Sequence, residues 1–195
     1  IPEWDSYSEE GKKYLSRQME VNAAFLEHVD FHIGRVVDHI EEMGELDNTL
    51  VIYLTADNGC TAEGTPTGTF SELLMQNGFP PLTMEQQLEK LEEFGGMDEW
   101  GGPHMANHYS VAWAYASSTP FQWTKQMASH FGGTMSATAI RYPKTIKAKG
   151  EWRRQFQNVT DIVPTILEVT GIPAPDYVNG QKRKAYPGKS LTYAW

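Results

Sequence analysis

Residues 50–64, LVIYLTADNGCTAEG, join an apolar run to a polar loop. The run is rich in Val, Ile and Leu, and its odd and even positions are equally apolar. A strand that helices cover on both faces has this composition, so the run predicts a central strand of a parallel sheet. Asp57 and Asn58 follow at the end of this strand, which is where open α/β sheets bind their ligands.

The acid and amide pair permits two interpretations. Carboxylate and amide oxygens are typical ligands of hard cations such as Ca²⁺ and Mg²⁺, and Gly59 would let the backbone turn tightly beside them. Asp, Asn and Gly also favour ordinary turns, with no metal involved. The residues alone leave both interpretations open.

Helical and strand patterns alternate along the rest of the chain, and this alternation predicts an α/β fold. We expect a capping box of Ser6 and Glu9 at the start of the first helix and a break in it between Val29 and His32. The predicted elements are helices over residues 8–43, 83–94 and 161–169 and a short strand over residues 138–143, with Gly44 and Gly171 after the first and last helices.

Composition excludes several classes of protein. The chain has 195 residues and a formal net charge of −9, whereas a nucleic-acid-binding protein is usually basic. Its longest apolar runs are far shorter than a membrane span. Its single cysteine excludes an internal disulfide framework and any metal site built from several cysteines.

Three long segments carry a resemblance to a known family: DNGCTAEGTPTGTFSE, NHYSVAWAYASSTPFQWTKQMASHFGGT and QFQNVTDIVPTILEVTGIPAP. They resemble the sulfatases of the alkaline-phosphatase-like superfamily, particularly the large bacterial arylsulfatases, and the likeness extends over essentially the whole chain. It implies part of an alkaline-phosphatase-like sheet flanked by helices, and hydrolysis of sulfate monoesters at a calcium site.

The resemblance also assigns residues to the site. Asp57 and Asn58 match the family's calcium-binding pair, Lys125 matches the lysine that contacts the sulfate group, and His130 matches a histidine that follows it. We therefore expect Lys125 and His130 to be catalytic. Met135 stands where the family usually has arginine. The role of that arginine is therefore missing from this position.

Each implied role has a physical reason. A sulfate ester carries negative charge on its oxygens in the transition state, and a divalent cation and a fixed ammonium lower the energy of that charge. Without the resemblance, Lys125 would be interpreted as a solvated surface lysine and His130 as an ordinary loop histidine.

Cys60 departs from the family's nucleophile signature. Sulfatases convert a cysteine in a Cys-x-Pro/Ala-x-Arg sequence to formylglycine, but here Glu63 and Gly64 follow and no arginine completes the motif. We expect Cys60 to be a small neutral residue packed near the site. The resemblance places the formylglycine in an N-terminal part of the fold that is missing here. We therefore expect residues 1–195 to be the C-terminal portion of a sulfatase catalytic domain, truncated at its N-terminus. We expect this portion to be inactive alone.

Other interpretations stay open. A phosphoesterase or phosphonate hydrolase of the same superfamily would use the same metal platform, and a non-catalytic remnant would be a calcium-binding or interaction domain. The expected partner is a sulfate ester, with no nucleic acid and no membrane segment, and exposed sheet edges favour association. Residues 65–108 are the expected region of substrate selection. The sequence does not decide between a bacterial periplasm and cytoplasm.

Overall fold

The computed structural model describes residues 1–55 and 58–195. Asp57, predicted as a metal ligand, therefore lies outside the described residues. The chain forms two compact units, one of residues 1–43 and 54–138 and the other of residues 44–53 and 139–195. The described elements are helices α1 (Glu9–Glu42), α2 (Glu72–Gln76), α3 (Met84–Glu93), α4 (Val111–Ser118), α5 (Phe131–Thr134) and α6 (Ile162–Thr170), and strands β1 (Val51–Leu54), β2 (Thr138–Arg141), β3 (Tyr177–Val178) and β4 (Gln181–Lys182).

Helix α1 is a single uninterrupted helix of 34 residues. The predicted break between Val29 and His32 is wrong, because neither residue interrupts the backbone hydrogen bonds there and no proline occurs in the segment. The predicted capping box is also wrong: Ser8 caps the helix by accepting a hydrogen bond from the Gly11 amide at 3.1 Å. In the part of the chain that the structure describes, no helix is both long and apolar enough to cross a membrane.

The core of the first unit forms between α1, α3 and the loop after α3. Tyr14, Leu91 and Trp100 are almost completely buried, and the rings of Tyr14 and Trp100 meet edge to face at 5.0 Å. Helix α3 begins as predicted at Thr83, where Thr83 and Gln86 exchange side-chain-to-backbone hydrogen bonds. The predicted helix over residues 83–94 is thus confirmed.

Two buried glutamines fix the loop that leads from β1 towards α2. The Gln18 side-chain amide donates to the Thr67 carbonyl, and its oxygen accepts from the Ser110 amide, both at 2.9 Å. Gln87 donates to the Gly68 carbonyl at 2.9 Å. The backbone of Thr69 pairs with that of His108 at 2.9 and 2.8 Å. The region expected to select substrate is therefore held firmly at both of its ends.

The sequence pattern does not predict α2, α4 or α5. Helix α4 is held by tertiary contacts: Ala114 is fully buried, and the Trp113 indole donates to the Leu15 carbonyl at 2.8 Å. The apolar and small residues of α4 are distributed almost evenly around its axis. The helix therefore lacks the periodic apolar stripe from which a helix is predicted. It ends at Ser118, because Thr119 precedes Pro120 and a residue before proline disfavours helical backbone angles.

Strand β1 is confirmed as a strand but not as a buried one. It pairs with β2, and the Thr55 amide donates to the Ala137 carbonyl at 3.2 Å. Val51 and Ile52 are half-buried, whereas Tyr53 and Leu54 are exposed. Within the described residues the sheets have two strands each, so the larger alkaline-phosphatase-like sheet stays a prediction.

The second unit is organised around α6. The Asp161 carboxylate accepts hydrogen bonds from the amides of Asn158 and Lys189, both at 2.8 Å. The buried Thr165 hydroxyl accepts from the Leu191 amide at 2.9 Å. Gly171 ends the helix in the left-handed conformation, with φ of 68°, so the predicted last helix is confirmed.

Candidate active site

The loop after β1 packs against the segment that contains Lys125. We call residues 58–64 the strand-end loop and residues 119–134 the lysine segment. The Lys125 amide donates to the Cys60 carbonyl at 2.9 Å. Gly59 has φ of +76°, and a Cβ built on it would lie 1.8 Å from the Gly132 carbonyl oxygen, so only glycine permits this contact. The exposed Asn58 therefore lies directly beside a junction with the lysine segment.

The Lys125 side chain lies close to an acidic partner that the sequence reasoning missed. Its Nζ is 3.8 Å from Oε2 of Glu63, and about a third of the lysine side chain (32%) is exposed. In the sequence, Glu63 occupies an unrestricted position of the Cys-x-Pro/Ala-x-Arg signature, so no motif marks it. A pairing between residues so far apart along the chain has no local pattern that could have predicted it.

The backbone around Lys125 is unusual. Trp123 has φ of 67° and Gln126 has φ of 77°, although neither is glycine. Such conformations cost about 1–3 kcal/mol each and persist where the surroundings fix them. The Phe121 ring packs edge to face on Phe131 at 5.9 Å and so links the two ends of the segment. Trp123 is 41% exposed.

His130 lies in the same segment as Lys125, immediately before α5. Its Nδ1 is 2.8 Å from the Ser129 hydroxyl, and its ring lies 5.7 Å from that of Trp123. The imidazole is half-buried, so solvent reaches part of it. Met135 follows α5 and is 53% exposed, and it offers no charge where the family usually has arginine.

Cys60 is half-buried within the strand-end loop. Burial, and secondarily the neighbouring Cys60, raises the pKa of the Tyr109 phenol to about 12. Gly64 lies so close to Tyr109 that an added Cβ would be 1.8 Å from its carbonyl oxygen. Gly64, which stands where the formylglycine signature has arginine, thus permits close packing here, and the preceding Glu63 faces Lys125.

The described residues do not by themselves form a metal site. Among them, no group of three or more His, Cys, Asp or Glu side chains could hold a metal ion. Of the two expected calcium ligands, only Asn58 is described, and its exposed side chain can offer one amide oxygen. This donor suits a hard cation, but the calcium site stays a prediction.

Comparison with known proteins places these features in a family. The family model for sulfatases matches residues 2–172. An uncharacterised sulfatase of Schizosaccharomyces pombe is 37% identical over 175 residues, which cover 89% of this chain and 28% of that protein. An arylsulfatase of Klebsiella aerogenes is 26% identical over 170 residues, which cover 87% of this chain and 33% of that protein.

The chain thus spans about a third or less of the length of these two relatives. The family match itself covers most of the chain and includes both the strand-end loop and the lysine segment. On this extent of similarity, the chain belongs to the sulfatase family.

Proposed function

We propose that this chain forms part of the active site of an arylsulfatase-like sulfuric ester hydrolase. The observation that carries the proposal is the packing of the lysine segment on the strand-end loop, through the hydrogen bond from the Lys125 amide to the Cys60 carbonyl. This junction brings a cationic side chain towards the end of a strand, where α/β folds bind ligands. Membership of the sulfatase family supports sulfate as the anion.

Lys125 is proposed to bind the sulfate group. An ammonium is a compact point charge that stabilises negative charge as it develops on the sulfate oxygens. Its distance of 3.8 Å from Glu63 exceeds a hydrogen-bond length, so the ion pair leaves N–H donors for a substrate oxygen. The fixed backbone on both sides of Lys125 would limit the entropy lost when the side chain binds substrate.

His130 is proposed as the second substrate-binding group of the lysine segment. Its Nδ1 is engaged by the Ser129 hydroxyl, which restrains the ring and makes Nε2 the nitrogen that we assign to a substrate oxygen. A histidine in this position can donate a hydrogen bond from Nε2 to a substrate oxygen.

Calcium is the proposed cofactor, with Asp57 and Asn58 as two of its oxygen ligands. When bound, the cation would supply positive charge to the sulfate oxygens. The proposed nucleophile is a formylglycine outside the residues of this chain. We therefore assign the complete reaction to the complete gene product and predict that residues 1–195 alone do not hydrolyse sulfate esters. Association through the exposed edges of β1 and β2 belongs to the same proposal.

The test compares an aryl sulfate with the matching aryl phosphate as substrates of the complete gene product. We expect turnover of the sulfate, and a loss of about 10²–10³-fold in kcat when Lys125→Ala removes one stabilising cation. Lys90→Ala is the control, since Lys90 is also half-exposed and paired with a glutamate. A preference for aryl phosphate, or unchanged kinetics in Lys125→Ala, would contradict the proposal.

A further inference from the structure

We infer that Glu63 is a positioning residue for Lys125: it holds the lysine in place for the sulfate group and is displaced from the ammonium when an anion binds. This inference rests on the proposed function, because it assigns the anion to Lys125. It concerns a carboxylate that no sequence motif marks.

The first step is that the Glu63 carboxylate is itself fixed. One oxygen, Oε2, accepts a hydrogen bond from the Thr61 hydroxyl at 3.0 Å. The other, Oε1, accepts a hydrogen bond from the Gln126 side-chain amide at 3.0 Å. Both oxygens are therefore engaged, although the side chain is half-exposed, and the carboxylate has a defined direction.

The second step is that the strand-end loop contacts both the backbone amide and the side-chain ammonium of Lys125. The backbone amide donates to Cys60, and the ammonium lies 3.8 Å from Glu63. Gln126, the next residue, has a left-handed backbone with φ of 77°, and its side chain is bonded to the same carboxylate. Glu63 thus stabilises the strained turn that sets the direction of the Lys125 side chain.

The third step concerns the strength of the ion pair. At 3.8 Å, with 32% of the lysine side chain and 50% of the glutamate side chain exposed, the pair is weak. A sulfate dianion or monoanion can therefore draw the ammonium away from Glu63. Because Glu63 competes with the anion for the same cation, its charge weakens ground-state binding while its contacts keep the lysine correctly placed for the transition state.

The test variant is Glu63→Gln in the complete gene product. The amide keeps the shape, and its one carbonyl oxygen can accept the Thr61 hydrogen bond. Its NH₂ group cannot accept from Gln126, and the neutral side chain no longer attracts the ammonium. We expect kcat on an aryl sulfate to fall about tenfold because the lysine is less well placed. We expect inorganic sulfate, titrated by calorimetry, to bind about threefold more tightly because the competing charge is gone.

The matched control is Glu93→Gln. Glu93 pairs with Lys90 on the surface of α3 at 2.8 Å, so the substitution makes the same change in charge within the same unit. It should alter neither kcat nor sulfate affinity. A residue with a purely structural role would weaken turnover and sulfate binding together, so the opposite signs expected for Glu63→Gln distinguish positioning from folding.

A double-mutant cycle then tests whether Glu63 acts through Lys125. In the Lys125→Ala background, Glu63→Gln should change neither kcat nor sulfate affinity further, because the group that it positions is absent. If the two substitutions are additive, Glu63 does not act through Lys125 and the inference fails.

The two proposals fail in different ways. If the complete gene product with its native sequence does not turn over an aryl sulfate, the proposed function is contradicted. The calorimetric comparison of Glu63→Gln would still test the positioning role. Sulfate affinity that is unchanged or weaker in Glu63→Gln would overturn that role, whatever the activity. A strong Lys125→Ala effect with a neutral Glu63→Gln would keep the function and reject the positioning.

Discussion

The two halves of α1 have the same helical pattern but very different surroundings. In the first half Gly11, Tyr14, Leu15 and Gln18 are buried. The part from Phe25 onwards, which we call the second half, exposes large apolar side chains at 57–64% of their surface: Phe25, Leu26, Phe31, Val36 and, at the C-cap, Met43. Apolar periodicity therefore predicts that a helix forms and which stripe of it is apolar, but it does not predict which part of that stripe the same chain covers.

The difference shows what stabilises each half. The first half gains packing against Trp100 and Leu91 and the hydrogen bonds of Gln18. The second half keeps its backbone hydrogen bonds and its i,i+3 contacts, such as His39 with Glu42 at 3.4 Å. Exposed contact pairs of this kind contribute only a few tenths of a kcal/mol. Substitutions should consequently have large effects in the first half and small ones in the second.

The largest expected effect is that of Tyr14→Ala. Tyr14 is fully buried against Trp100, and removing a buried aromatic ring costs about 3–5 kcal/mol. Phe25→Ala, at a position that is 62% exposed, should stay within about 0.5 kcal/mol. Urea denaturation followed by far-UV circular dichroism measures both. Similar losses for the two variants would mean that the second half of α1 is covered in solution.

The next effect is that of Gln18→Ala. This substitution leaves the buried Ser110 amide and the Thr67 carbonyl without their side-chain partner. Each unsatisfied buried group costs about 1–3 kcal/mol, so we expect a total loss of about 2–4 kcal/mol. Glu27→Ala, which truncates an exposed side chain of the second half, is the control. A loss below 1 kcal/mol for Gln18→Ala would show that water replaces the glutamine.

A pH dependence of stability should come from the buried first half of α1. Burial raises the pKa of the Tyr14 phenol above that of an ordinary tyrosine, which is about 10. Below that pH both the folded and unfolded chains keep the proton. Above it the unfolded chain loses the proton first, so the free energy of unfolding falls by about 1.4 kcal/mol per pH unit.

Denaturation at pH 9, 10 and 11 measures this loss. Tyr14→Phe should remove the part due to Tyr14 and leave the part due to Tyr109, whose pKa burial also raises. Tyr53→Phe, at a 38% exposed position, should leave the loss unchanged. A pH profile that is the same in Tyr14→Phe and in the unmodified chain would assign the dependence to other groups.

The smallest expected effects come from one substitution made in each half. A Cβ added at Gly34 meets no heavy atom within 4 Å among the described residues, so Gly34→Ala should stabilise the helix by about 0.5–1 kcal/mol. A Cβ added at Gly11 lies 3.3 Å from Ser8 Oγ and 3.5 Å from Met84 Cγ. We expect this crowding to cancel the gain. Thermal denaturation compares the pair, and an equal gain in both variants would show that the buried end of α1 relaxes easily.

Local chemistry made much of the fold predictable. Thr83 with Gln86, Gly44 and Gly171 are capping signals that depend only on neighbouring residues, and the structure has each of them at a helix end. The cap of α1 was mistaken for Ser6 because two serines lie within one turn, and only the backbone path selects Ser8. Helix α4 was missed because burial, rather than periodicity, stabilises it.

The sequence by itself determined the resemblance to the sulfatase family and the residues that we propose for sulfate chemistry, because Lys125, His130 and the Asp57–Asn58 pair lie within short motifs. Only the tertiary structure decided that Lys125 faces Glu63 and that Gly59 packs on Gly132, since these partners are separated by some sixty to seventy residues of chain. Motifs reflect local chemistry, whereas the contact between two distant loops depends on how the whole chain packs. For the same reason the pattern of α1 specified its apolar stripe, and packing decided which half of that stripe is buried.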